Sequence, residues 1–214
     1  NAAEEHCHLL GTDWDSMAKK RYFWAVIRQR IQFTRYPKAG QTVTVKTWPL
    51  PTTRVAYPRA AEGFDEEGNS LFKIISIWII MDKTSRAMIL PAKSGIGVPG
   101  ILRGIEIENP ASLAPLSDGQ HTLWEVTEED LDQNRHVNNT VYLDRAEQLT
   151  GAFGKNCCPK EFTVCYLSEV RLGQTLTLSW TGSDRDVLTL EGTRPRPGEP
   201  EKTERVFAAK LIFT

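Results

Sequence analysis

Long apolar runs are missing from this chain. The longest, Ile74 to Met81, is interrupted by Ser76 and falls far short of the roughly 20 apolar residues that a spanning helix needs. No membrane insertion is expected. Cysteine is scarce too: Cys7, Cys157, Cys158 and Cys165 show no CxxC spacing, and the adjacent pair at 157 and 158 is poor geometry for zinc or for a disulfide framework. Reduced thiols in a cytoplasm-like compartment are expected, with no metal and no cofactor. Net charge is also slight, at -1 from 26 basic and 27 acidic residues, which argues against a dedicated nucleic-acid binder. Acidic residues nevertheless vanish locally. From Ser16 to Ala61 there are ten Lys or Arg, among them Lys19, Lys20, Arg21, Arg28, Arg30, Arg35 and Lys38, and no Asp or Glu. A charge run is most often only a solvated face, yet one this lopsided in a near-neutral chain suggests an acidic partner.

What is present fits an ordinary globular protein, 214 residues with 40% apolar content, enough for one large core or two modest ones. Two is favoured by an internal repeat. Gly40-Gln41-Thr42-Val43-Thr44-Val45 recurs as Gly173-Gln174-Thr175-Leu176-Thr177-Leu178, displaced by 133 residues, each copy a turn glycine feeding an alternating strand. Around each copy the coarse order is similar. A helix ends near a glycine (Gly11, Gly151), a strand follows (Tyr22 to Phe33, Glu161 to Leu167), then the repeat strand, then two more (Arg54 to Glu62 and Leu71 to Met81; Val187 to Thr193 and Glu204 to Phe213). The pattern predicts an α+β protein of two similar units, each a helix packed on an antiparallel sheet, with residues 1–90 and 121–214 as the units. Pro91 to Gly119, with four Pro and five Gly, reads as a linker crossing the surface. The first unit has no counterpart of the strand and loop at Trp124 to Asn139, and the chain opens on Asn1, so residues are expected to precede it.

Polar chemistry concentrates in Asp130-Leu131-Asp132-Gln133-Asn134-Arg135-His136-Val137-Asn138-Asn139. A strand around Leu123 to Val126 precedes this stretch, and helical spacing of Val141, Tyr142, Ala146 and Leu149 follows it, so it is a strand-to-helix loop. Asn138 or Asn139 as a plain helix cap is the bland reading. Against it stand three matched groups at alternate positions, Asp132, Asn134 and His136. A carboxylate and an imidazole can orient and activate water, an amide can hold it, and the amides of Val137 to Asn139 can stabilise an oxyanion. That combination suits acyl chemistry. His6 and His8 do not share a helix face and are assigned no metal.

Together with Trp24-Ala25-Val26-Ile27-Arg28 and Arg35-Tyr36-Pro37-x-x-Gly40, the Asp-x-Asn-x-His-Val-Asn-Asn stretch resembles the acyl-[acyl carrier protein] thioesterases of bacteria and plant plastids, over essentially the whole chain. The resemblance implies two tandem hotdog domains, with the catalytic groups in the second. It places the family's Asp, Asn and His on Asp132, Asn134 and His136, and its downstream Glu on Glu169. Plant members carry a Cys directly after that Glu, where this chain has Val170, and Cys165 is a weak substitute. The implied reaction is hydrolysis of a fatty acyl thioester on an acidic acyl carrier protein, with Glu169 or His136 as base, in the cytoplasm or, for a plant chain, the plastid stroma. Trp24, Ile74, Ile77 and Trp78 are candidates to line an acyl tunnel, though strand residues of this type are mostly core. An acyl-CoA thioesterase or another hotdog acyl-thioester enzyme, and a non-catalytic acyl-binding module, stay open as alternatives. So does pairing into a homodimer.

Overall fold

The structure, a computed structural model, describes residues 2–213 apart from Arg103, Gln133, residues 153–157 and Arg185; Gln133 and Cys157 thus lie outside the described residues. Two compact units divide the chain between Pro110 and Ala111. The first opens with helices α1, Ala2–Leu9, and α2, Trp14–Lys19. The chain leaves α1 through Gly11 at φ +64, a left-handed conformation that a Cβ disfavours. Asp13 caps α2 by accepting the Ser16 amide at 2.9 Å, and hydrogen bonds from Ser16 and His8 hold its carboxyl down at about 2.

Strands β1 (Tyr22–Phe33), β2 (Thr44–Pro49), β3 (Tyr57–Phe64) and β4 (Ser70–Asp82) form an antiparallel sheet in the order β2-β3-β4-β1, and the short β5 (Met88–Ile89) pairs with β4. On one face Met17 of α2 buries against Tyr57 and Ile80, with Trp24, Trp78, Ile96 and Val98 around them. On the other, Ile75, Ile77, Ile79 and Ala56 pack with Ala25, Ile27, Ile105 and Ile107. The stretch expected to cross the surface as a linker therefore begins with a short helix, α3 (Pro91–Ser94), and contributes four isoleucine or valine side chains to this unit's packing. Its Glu106 and Glu108 then meet Lys73 at 3.6 Å and Arg30 at 3.2 Å.

This strap changes the reading of the basic run. Arg28 and Arg30 do share a face, but a β-bulge between Val26 and Arg28 shifts the register so that they pair with Ile77 and Ile75, whose face the Ile105 to Glu108 segment covers. Arg30 keeps only 18% of its side chain exposed. Lys19, Lys20, Arg21, Arg35 and Lys38 are exposed, although Arg35 is paired with Asp65.

The second unit has β6 (Gln120–Glu125), helix α4 (Asn139–Ala152), β7 (Glu161–Tyr166), β8 (Thr175–Asp184), β9 (Val187–Arg196) and β10 (Glu199–Ile212), with sheet order β7-β10-β9-β8-β6. Tyr142 and Ala146 of α4 are buried, and Tyr142 packs on Phe207 with ring centroids 4.7 Å apart. The repeat extends beyond its sequence motif. One rung of the first sheet reads Val45, Gly63, Phe72, Phe33, and the matching rung of the second reads Leu178, Gly192, Phe207, Tyr166. Beside each rung sits the same bulge: the Leu71 carbonyl accepts the amides of Thr34 and Arg35, and the Val206 carbonyl those of Leu167 and Ser168. Only β6 has no counterpart among the described residues of the first unit. No helix among the described residues is long and apolar enough to cross a membrane.

Each rung glycine lets an aromatic ring lie flat across its strand. A Cβ on Gly192 would sit 2.2 Å from Phe207 Cε1, and one on Gly63 2.3 Å from Phe72 Cζ. Phe207 is fully buried under Tyr142 and has nowhere to go, whereas Phe72 is half-exposed and can swing outward. Gly192→Ala should therefore destabilise by about 1–3 kcal/mol, the usual range for overpacking, and Gly63→Ala by less. Urea unfolding of the two variants checks this, and equal midpoints would contradict it.

Candidate active site

The polar loop is built on Asp130, whose carboxylate is buried. A short 3-10 turn, Glu128–Asp130, follows β6, and Asp130 Oδ2 accepts the Thr127 amide at 2.9 Å and the Trp124 indole at 3.2 Å. Arg145, reaching back from α4, donates to Oδ1 at 3.0 Å while its guanidinium lies over the Trp124 ring. Burial alone would push this carboxyl up, but the Thr127 amide, the Trp124 indole and the Arg145 cation together hold it below the ordinary carboxylate value.

Asp132 organises the turn itself. Its Oδ1 accepts the amides of Asn134 at 2.8 Å and His136 at 3.1 Å, and its own amide donates to the His136 carbonyl at 2.8 Å. This is the local Asx geometry that the bland reading anticipates, and here it brings Asp132, Asn134 and His136 together. Closing the turn forces Arg135 to φ +63, a conformation that costs a non-glycine residue about 1 kcal/mol or more. A bidentate pair with Glu128, at 2.8 and 2.9 Å, holds it there. Asn138 caps α4, its Oδ1 accepting from the Thr140 amide at 3.0 Å.

Glu169 arrives from a second loop, between β7 and β8. The two loops are joined like short strands: the Val137 amide donates to the Val170 carbonyl at 2.9 Å, and His136 bridges to Arg171. Glu169 Oε2 comes to 3.3 Å from His136 Nε2 and 3.6 Å from Arg171 Nη2. His136 and Glu169 are partly open, at 26% and 37% side-chain exposure, so a substrate can reach them. Asn134 is exposed on the same loop.

One expectation about the chemistry changes, that of the oxyanion amides. The amides of Val137 and Asn138 are already donated, to Val170 and Asp130 carbonyls, because the loop is pinned on both sides. Of the three amides proposed for an oxyanion, the one at Asn139 is left without an acceptor among the described residues. Val170, standing where a thiol nucleophile would be, is buried. Cys165 is buried in β7 with its sulfur 3.6 Å from the Ala111 carbonyl.

Two domain models of one family fit this chain. The acyl-ACP thioesterase N-terminal domain matches residues 1–91 and the acyl-ACP thioesterase C-terminal domain residues 114–200. The chain belongs to the acyl-ACP thioesterase family. It is 30% identical over 163 residues to a chloroplastic palmitoyl-acyl carrier protein thioesterase from Gossypium hirsutum, a match covering 66% of this chain and 38% of that protein. The chain thus spans well under half the length of that relative. Among solved structures it resembles an acyl-ACP thioesterase from Bacteroides thetaiotaomicron, with a TM-score of 0.84 at 20% identity over 99% of this chain and 85% of the other. It also resembles a 12:0-ACP thioesterase from Umbellularia californica, with a TM-score of 0.76 at 20% identity and the same two coverages. At these identities the likeness speaks to the fold, two tandem hotdog units.

The first unit of this family member also holds a half-open, mostly apolar cavity of about 280 Å³. Trp24 and Trp78 line it, as the tunnel reading expects; Ile77 is instead packed into the opposite-face cluster, and Ile74 is not in the lining. Trp14, Tyr57, Leu10 and Val98 complete much of the wall, and Arg59 reaches it from between Thr47 and His6, each at 2.9 Å. His6 thus stands behind the cavity wall. Sequence reasoning overlooked the anchor Asp130, because nothing in Asp-Leu-Asp distinguishes the acid that will be buried from the one that will cap a turn.

Because the Asp130 carboxyl is depressed in the folded protein, its contribution to stability is fully present above the unfolded value near 3.8 and is lost as pH falls through the lower folded value. Asp130→Asn should lower stability at neutral pH and flatten the acid limb below about pH 4. Denaturant titrations of both proteins at stepwise lower pH read this out. Parallel limbs would mean Asp130 is not held ionised by its partners.

Proposed function

We propose that this chain hydrolyses the thioester of a fatty acyl chain carried on acyl carrier protein, releasing the free fatty acid. The observation that carries the proposal is the contact between His136 Nε2 and Glu169 Oε2 at 3.3 Å, two groups 33 residues apart that loop pairing holds side by side in an open site. The His136 and Glu169 pair takes a proton from water as that water attacks the thioester carbonyl. Asn134 orients the water or the carbonyl, and Asp132 fixes the turn that presents both. The tetrahedral intermediate then expels the thiolate, which recovers the proton as the carbon–sulfur bond breaks. With no thiol beside Glu169, no acyl-enzyme is required. The apolar cavity lined by Trp24, Trp78 and Tyr57 has the character of a hydrocarbon site.

Steady-state hydrolysis of a panel of acyl carrier protein thioesters, followed by free-thiol release, tests the reading. His136→Ala and Glu169→Gln should each lower kcat by about a hundredfold or more, the scale of a lost acid–base group, with unchanged unfolding midpoints. Full turnover in both variants would return the loop to a helix-capping role, and no turnover of any thioester by the unaltered chain would favour an acyl-binding module.

The carrier is proposed to be an acidic partner met by the exposed basic residues before β1 and after it. Charge reversal belongs at Lys19, Lys20 and Lys38 rather than at Arg28 and Arg30, whose face is covered. Lys19→Glu with Lys20→Glu should raise KM for a carrier-bound substrate several-fold and weaken its dependence on salt, the signature of electrostatic steering, while the matching CoA thioester changes little. Equal losses on both substrates would place the two lysines outside carrier recognition.

A further inference from the structure

Arg194, in β9, is nine-tenths buried and makes more polar contacts than any reading of the sequence would assign it. Its Nε and Nη2 bond Glu204 at 2.8 and 2.7 Å, its Nη1 bonds Gln174 Oε1 at 2.5 Å, and its Nη2 also reaches Ser168 Oγ at 3.1 Å. Ser168 and Gln174 bracket the loop that carries Glu169. Gln174 passes the restraint inward, since the same Oε1 accepts the Arg171 amide at 2.9 Å, and Arg171 is the residue bridged to His136. One buried guanidinium thus grips both ends of the Glu169 loop from beneath.

The first unit serves as an internal control. The position matching Ser168 there is Arg35, and the position matching Arg194 is Asp65, by the shared bulge and the shared Gly63 and Gly192 rung. Those two also pair, between Arg35 Nη2 and Asp65 Oδ2 at 2.5 Å. Asp65, however, spends its other bonds on its own hairpin, taking the amides of Glu67 and Asn69, while Gln41 accepts the Lys38 amide. The tie between strand end and loop is common to both units. Only in the second does the buried partner become an arginine with enough donors, in a rigid planar fork, to hold both ends of the loop at once.

We propose that Arg194 is a positioning residue that fixes Glu169 against His136. The proposal rests on the thioesterase reading only for its kinetic readout. Displacing a catalytic carboxylate by a fraction of an ångström is enough to slow a reaction, and Lys cannot reproduce the fork. Arg194→Lys keeps a cation for Glu204; Ser168→Ala removes only one link and leaves the buried pair intact, so it decides the matter if the first variant unfolds.

The experiment is a double-mutant cycle on thioester hydrolysis, with the pH titration of the His136 ring followed by NMR in the same proteins. Arg194→Lys and Ser168→Ala should each lower kcat by about tenfold, a typical penalty of misplacement, with KM and the unfolding midpoint little changed. In a Glu169→Gln background the same substitutions should cost less than about twofold, because residues acting as a unit are not additive. The His136 titration should move in the direction that Glu169→Gln moves it. Equal losses of kcat in both backgrounds, or an unmoved His136 titration, would overturn the proposal. If the unaltered chain hydrolyses no thioester, the functional reading fails by itself and the His136 titration alone decides Arg194.

Discussion

A backbone hydrogen bond from the Val137 amide to the Val170 carbonyl, beside the His136–Arg171 bridge, joins the two loops on which the candidate site depends. Neither loop carries the chemistry alone. Asp132, Asn134 and His136 belong to the connection into α4, and Glu169 to the connection between β7 and β8; the bond registers one against the other so that imidazole and carboxylate meet. The same bond consumes an amide that loop chemistry in isolation would offer to an oxyanion. Holding imidazole and carboxylate together and presenting helix-terminal amides are competing uses of the same few atoms, and here the first has won at Val137 and Asn138.

The repeat shows why so much of the fold could be read from the chain. Gly40 and Gly173 both adopt positive φ and each leads into a strand; in the second copy Leu176, Leu178 and Trp180 are buried at alternate positions as the pattern demands, whereas in the first Val45 stays exposed and burial begins only at Trp48. The span of β1 was legible to the residue. Helix α4 runs past Gly151 to Ala152, since a glycine late in a helix permits a stop without compelling one. The rung of Val45, Gly63, Phe72 and Phe33 was not legible, because Gly63 and Phe72 find each other through pairing, not through spacing along the chain.

The site was legible in its residue types and not in its support. Alternate polar positions identified Asp132, Asn134 and His136, and the family resemblance supplied Glu169, which no local pattern would have found. Asp130, Arg145 and Arg194 were invisible for a common reason: each is a charged residue whose meaning comes from a partner on another element, Asp130 with Arg145 and Arg194 with Ser168, Gln174 and Glu204, and which charges meet in this way is decided by the assembled core. That the face of Arg28 and Arg30 is covered was illegible for a different reason. One bulged residue reverses which side of the sheet every later side chain occupies, and alternation cannot reveal it.

The stacking of Tyr36 on Phe33, with ring centroids 4.0 Å apart, takes on meaning beside the second unit. Counting from the shared bulge, Tyr36 occupies the place that Glu169 holds in the other copy. Where one copy projects an acid into an open site, its twin folds an aromatic ring down onto its own strand. Two like units thus carry different groups at one shared position, an aromatic ring in one and an acid in the other. The walls of the first unit's cavity, from Trp24 to Trp78, are built from residues apart from the His136–Glu169 contact, so substitutions that reshape the cavity leave the groups of that contact unaltered.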